Sequence, residues 1–147
     1  MIEEAQSCVL LADRHHGLTE GVRGLLETAF GTVVMVADEQ SLLDGAVRLR
    51  PDVAVVDLSL AQGRSLDWLR RLRASCPALK VIVLSVCDEP NVRRAVLEAG
   101  ADAFVLKRSI VTDLMPVVDL VRDGVEFRAT RNGSALSAAS DPGEEKK

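Results

Sequence analysis

Four polar residues in this sequence each stand where an apolar run ends, and together they could do chemistry: Asp13, Asp57, Ser85 and Lys107. An aspartate such as Asp57 can act as a nucleophile toward phosphorus, forming an acyl phosphate. The group in transfer spreads negative charge over its oxygens, so a site of this kind calls for a metal ion and a cation. Asp13 with Asp57 suits Mg²⁺, Lys107 supplies a point charge, and Ser85 offers a hydroxyl to a phosphoryl oxygen. Singly, each has a plainer reading: Asp13, Asp57 and Ser85 as turn residues, Lys107 as an exposed strand-end lysine. The set gains meaning only if the fold brings the four to one crevice.

The elements that would do so are legible as short apolar runs alternating with helical spacing. Residues 53–57, introduced by Pro51, read as a strand buried on both faces of a parallel sheet and ending in a carboxylate. Similar runs at 7–12, 33–36, 80–85 and 103–106 give four more strands. Between them, apolar residues at 18, 22, 25, 26 and 29 predict a first helix, with Thr19 as its cap and Gly31 beyond its end. Asp38 caps a second helix that runs out before Pro51. A third carries Leu66, Leu69 and Leu72 inward, with Arg64, Arg70, Arg71 and Arg73 as a solvated face. Asp88-Glu89-Pro90-Asn91 opens a fourth, closed by Gly100. The last starts near Thr112 or Asp113, which leaves Pro116 in its first turn. Five strands alternating with five helices predict an α/β fold, a flavodoxin-like, doubly wound (βα)5 with a parallel sheet in the order 2-1-3-4-5. In such a sheet the crevice lies beyond the carboxyl ends of the strands, where all four polar residues fall.

The chain has 147 residues, 48% of them apolar, and only Trp68 and three Phe as aromatics. That is one domain with a core of Val, Leu and Ala, and we expect it over residues 1–125, with 126–147 as a polar, mostly disordered tail. The net charge of −4 and the lack of a long basic run argue against direct nucleic-acid binding. No apolar run approaches membrane-spanning length, and no signal-like segment opens the chain, so a cytoplasmic protein without membrane contact is expected. Cys8, Cys76 and Cys87 read as reduced packing residues, and His15 and His16 as loop residues rather than ligands. A nucleotide- or flavin-binding enzyme would want more glycine after strand one than Gly17 alone.

Four pieces of the sequence carry a family resemblance: Val9-Leu10-Leu11-Ala12-Asp13, Arg50-Pro51-Asp52-Val53-Ala54-Val55-Val56-Asp57-Leu58, Val81-Ile82-Val83-Leu84-Ser85 and Ala99-Gly100-Ala101-Asp102-Ala103-Phe104-Val105-Leu106-Lys107. Over about residues 5 to 125 the chain resembles the receiver domain of two-component response regulators, most closely the subfamily that usually carries a helix-turn-helix output. The resemblance implies that Asp57 accepts a phosphoryl group from a histidine kinase or phosphotransfer protein, that Lys107 contacts it and that Ser85 swings toward it. It also implies that Phe104 is an aromatic switch residue and that the Ser59 backbone carbonyl joins Asp13 and Asp57 around Mg²⁺. A signalling domain that is not an enzyme, with a downstream protein partner and a possible homodimer, follows from the same likeness.

The sequence departs from the family's pattern in three ways. Arg14 stands where the family usually has a second acid, and a guanidinium has no lone pair for a metal. Ala61 and Ser65 stand where Pro and Gly are usual after the aspartate. No segment reads as an output domain, so the expectation is a stand-alone receiver. For Arg14 two arrangements are open: its guanidinium reaches Asp57 and takes the metal's space, giving a phosphorylation-independent binding module, or it points to solvent beside a weakened Mg²⁺ site.

Overall fold

The computed structural model describes residues 7–14, 16–60 and 65–123, with the backbone alone for 16–19. Among them five parallel strands alternate with five α-helices. They are β1 (Cys8–Ala12), α1 (His16–Glu27), β2 (Thr32–Val36), α2 (Glu39–Leu49), β3 (Val53–Asp57), α3 (Asp67–Ser75), β4 (Lys80–Ser85), α4 (Pro90–Ala99), β5 (Ala103–Leu106) and α5 (Ile110–Arg122). Short 3₁₀ turns, Leu58–Leu60 and Lys107–Ser109, follow β3 and β5. The sheet order is β2-β1-β3-β4-β5, as expected from the element count. β1 and β3 are paired in register Val9 with Val53 through Ala12 with Val56, so the chain reverses direction across the sheet between them.

The apolar strands are uninterrupted because both faces are covered, and successive side chains divide between two cores. Val9, Leu11, Val53, Val55, Ile82, Leu84 and Val105 pack with residues of α1 and α5. Leu10, Ala12, Ala54, Val56, Val83, Phe104 and Leu106 pack with residues of α2, α3 and α4. With the central side chains of β1, β3, β4 and β5 all buried, a polar residue is tolerated in these strands only at their ends, and that is where Asp13, Asp57, Ser85 and Lys107 lie.

Helix ends follow local chemistry. The Asp38 carboxylate accepts the Ser41 N–H at 2.7 Å and caps α2, as its position predicted. Gly100 closes α4 at φ 129°, a conformation that L side chains rarely adopt, and a Cβ there would lie 3.2 Å from the Arg73 Cβ.

Two boundaries differ from expectation. α1 begins at His16, so His16 is helical and Thr19 lies inside the helix instead of capping it. α5 begins at Ile110 because the 3₁₀ turn after β5 winds directly into it, which places Pro116 within the helix rather than in its first turn. The carbonyl that loses its partner to Pro116 belongs to Thr112, an exposed residue, where water can replace the bond. β3 runs from Val53 to Asp57, as expected. His15, Ala61, Arg64 and the tail over 126–147 lie outside the described residues.

Arg73 is the clearest correction to the arginine face expected of α3. Its guanidinium donates to the carbonyls of Gly100, Pro77 and Leu79 and to Asp102 Oδ2, the last at 2.7 Å. Asp102 Oδ2 also accepts the Val81 N–H at 2.8 Å. Arg73 therefore ties the end of α3 to the starts of β4 and β5, whereas Arg70 and Arg71 are exposed and pair with Asp67 and Glu39. Trp68, which no periodicity singled out, is also buried, with an indole N–H that finds no acceptor among the described residues.

Candidate functional site

At the carboxyl end of the sheet, β3 delivers Asp57 into a pocket of other strand ends. The carboxylate is 2% exposed. One oxygen, Oδ2, accepts from Lys107 Nζ at 2.6 Å; the other, Oδ1, accepts the Ser59 N–H at 3.1 Å. The 3₁₀ turn at Leu58–Leu60 folds the chain back so that the Ser59 amide faces the side chain two residues before it. Lys107 comes from the turn directly after β5, and its stem is mostly covered, so its ammonium is aimed rather than free to wander.

Asp13 follows β1, the strand beside β3, and is also buried. Its carboxyl hydrogen-bonds to Asp57. Two acids this close do not both ionise freely unless a cation lies between or beside them. Burial pushes the Asp57 carboxyl up, but the hydrogen bonds from Lys107, Asp13 and the Ser59 amide, with the charge of Lys107, outweigh it and hold Asp57 below the usual aspartate value. Asp57 is thus a buried carboxylate whose ionised form is favoured and whose two oxygens are held in place.

Arg14 is exposed, and among the described residues the cation on Asp57 is Lys107. The arrangement in which Arg14 takes the metal's place on Asp57 is not the one found. The oxygen donors fit Mg²⁺, which binds through one or two carboxylates while keeping several waters and taking the rest from phosphate oxygens. Two side-chain carboxylates and the nearby Ser59 backbone make a sparse set: among the described residues no group of three His, Cys, Asp or Glu side chains gathers.

Ser85, also buried, is not bonded to Asp57. Its hydroxyl accepts the Cys87 N–H at 2.9 Å and donates to the Cys87 carbonyl at 3.2 Å, closing a turn of its own. Phe104 is fully buried on the α4 side of the sheet, and lacking a hydroxyl it has no group that must stay wet. Beyond the residues anticipated, Asp88 and Arg108 flank the site and pair at 3.1 Å. Their signal in the sequence was proximity alone, since Asp88 lies three residues after Ser85 and Arg108 directly after Lys107. The cysteines are unpaired and half-buried; burial first and Asp52 second push the Cys8 thiol up, which makes it a poor nucleophile.

Comparison with known proteins decides the family. A family model described as the response regulator receiver domain matches residues 9–119. The chain belongs to the response regulator receiver family. Among its curated relatives is the nitrate/nitrite response regulator protein NarP of Escherichia coli, 34% identical over 120 residues, which are 80% of this chain and 54% of NarP. The chain thus spans about half the length of such relatives. The isolated receiver domain of RcsB from Salmonella enterica, solved in the presence of the phosphomimetic BeF₃⁻, is 28% identical with a TM-score of 0.73, over 82% of this chain and 91% of that one. The receiver domain of the putative response regulator NarL from Mycobacterium tuberculosis is 28% identical with a TM-score of 0.71, over 80% and 97%. The receiver fold and a place in two-component signalling follow. Among the described residues no helix is long and apolar enough to cross a membrane.

Proposed function

We propose that this receiver, over residues 1–125, works in the cytoplasm as a phosphorylated switch with Asp57 as its acceptor. The observation that carries the reading is the Asp57 carboxylate itself, buried at the end of β3, with Lys107 Nζ on one oxygen and the Ser59 amide on the other. In the reaction a carboxylate oxygen of Asp57 attacks phosphorus, the bond from phosphorus to a histidine nitrogen of a kinase or phosphotransfer protein breaks, and the nitrogen keeps the electron pair. Lys107 offsets charge on the phosphoryl oxygens. Mg²⁺, held by Asp13, Asp57 and the Ser59 carbonyl, would supply further charge neutralisation, with Arg14 in place of a second acid making its hold weaker.

Phosphorylation would then bias an existing equilibrium. Ser85 leaves its own turn to donate to the phosphoryl group, Phe104 follows, and the face of α4, β5 and α5 changes for a downstream protein or a second copy of the chain. The test is intact mass after incubation with acetyl phosphate and Mg²⁺. One labile phosphoryl group on the wild type and none on Asp57→Asn is expected; equal labelling of both would overturn the assignment.

A further inference from the structure

The turn that occupies Ser85 is itself fastened. Cys87 provides both partners of the Ser85 hydroxyl, and the next residue, Asp88, meets two cations. Its Oδ2 lies 3.1 Å from Arg108 Nη2, and its Oδ1 lies 3.8 Å from Arg93 Nη2. Arg108 directly follows Lys107, the residue on Asp57. Arg93 sits in the first turn of α4. Asp88 therefore joins three pieces that the proposed switch would move relative to one another: the loop carrying Ser85, the helix after it, and the turn carrying Lys107.

We propose that Asp88 is a positioning residue, clasping the loop through Arg108 and Arg93 in the arrangement that withholds the Ser85 hydroxyl from Asp57. Opening the clasp shifts the loop toward the arrangement in which Ser85 reaches a group on Asp57. The coupling to Asp57 rests on the phosphoryl reading above; the clasp on the Ser85 turn does not. The Arg108 arm is 62% exposed and so is open to screening by salt, while the Arg93 arm is better covered and longer. An opened clasp changes the equilibrium by about two- to fivefold, the range half-exposed ion pairs support.

The test uses the full chain. NMR measures exchange of the Cys87 amide hydrogen, which the Ser85 hydroxyl protects, in wild type, Asp88→Asn, Arg108→Gln and Arg108→Lys. The expected result is exchange about two- to fivefold faster in both neutral variants, near wild type in Arg108→Lys, with the difference shrinking in 1 M salt as a Debye length of about 3 Å requires. Beryllofluoride with Mg²⁺ then serves as the probe of Asp57 and should bind both neutral variants more tightly by a similar factor. A wild-type exchange rate in either neutral variant overturns the clasp. Faster exchange with unchanged beryllofluoride affinity overturns its coupling to the site. Failure of beryllofluoride to bind any form counts against the phosphoryl reading, while the exchange rates still judge the clasp.

Discussion

Two carboxylate–cation pairs close the two ends of the sheet at nearly the same distance, 2.6 Å for Asp57 with Lys107 and 2.7 Å for Asp102 with Arg73. Their surroundings differ. At the amino-terminal end Asp102 also accepts a strand amide, and the arginine fork is spent on three loop carbonyls and that carboxylate, so its guanidinium has no donor left for a ligand. At the carboxyl end a second acid, Asp13, crowds Asp57, and the cation is a lysine. A lysine is a point charge with rotatable donors that can follow an oxygen as it becomes part of a phosphoryl group, whereas an arginine fork is fixed by geometry. The comparison separates a pair that fastens the fold from a pair poised for exchange.

The sharpest way to break this division is Arg73→Ala, which strips partners from three carbonyls and a carboxylate at once. Unfolding free energy is expected to fall by about 2–4 kcal/mol, since hydrogen bonds to charged groups contribute about 1.5–3 kcal/mol each and do not add fully. Labelling by acetyl phosphate, measured on the folded fraction, should stay at the wild-type rate. A slow-labelling but stable Arg73→Ala protein would merge the two regions into one functional unit. Lys107→Met works in the opposite sense. Removing the cation should slow labelling by about tenfold or more, as loss of a donor aimed at developing charge does, with a smaller stability loss because Asp13 and Asp57 can share a proton. Denaturant titration and labelling rates on the same preparations compare the two variants directly.

Gly100→Ala is a milder probe of the fastened end. The backbone at φ 129° and the 3.2 Å approach to Arg73 predict a loss of roughly 1 kcal/mol or somewhat more, read as a lower urea midpoint with unchanged labelling. The smallest effect is on acid stability. Asp57 is held below its ordinary value of 3.8, so folding is favoured by its ionised form. That contribution is whole above about pH 3.8 and is lost as pH falls through the lower folded value. A carbon-detected NMR titration of the Asp57 carboxyl should show a midpoint below 3.8; a midpoint above it would mean that burial outweighs Lys107.

The same contrast explains what the sequence disclosed. Strands covered on both faces leave unbroken apolar runs, and the residues ending those runs, Asp57 and Lys107 among them, stand out for that reason. Arg73 does not, because its partners are mostly loop carbonyls with no side-chain signature, and an arginine on a helix reads the same whether solvated or fastened. The start of α5 was missed because the 3₁₀ turn after β5 winds straight into the helix with no side-chain cap to mark it. Arg14 left two arrangements open in the sequence; in the structure it is exposed, and among the described residues the cation on Asp57 is Lys107. Asp88 and Arg108 were invisible as a pair, being charges twenty residues apart in loops.

The central claim is that Asp57 is the residue that takes the phosphoryl group. An acyl phosphate is reduced by borohydride to the alcohol, so protein treated with acetyl phosphate and Mg²⁺, reduced and mapped by peptide mass spectrometry, reports the acceptor directly. The account predicts homoserine at position 57 and aspartate retained at positions 13 and 88. Homoserine at either of those positions, or at none in a folded protein, would contradict it.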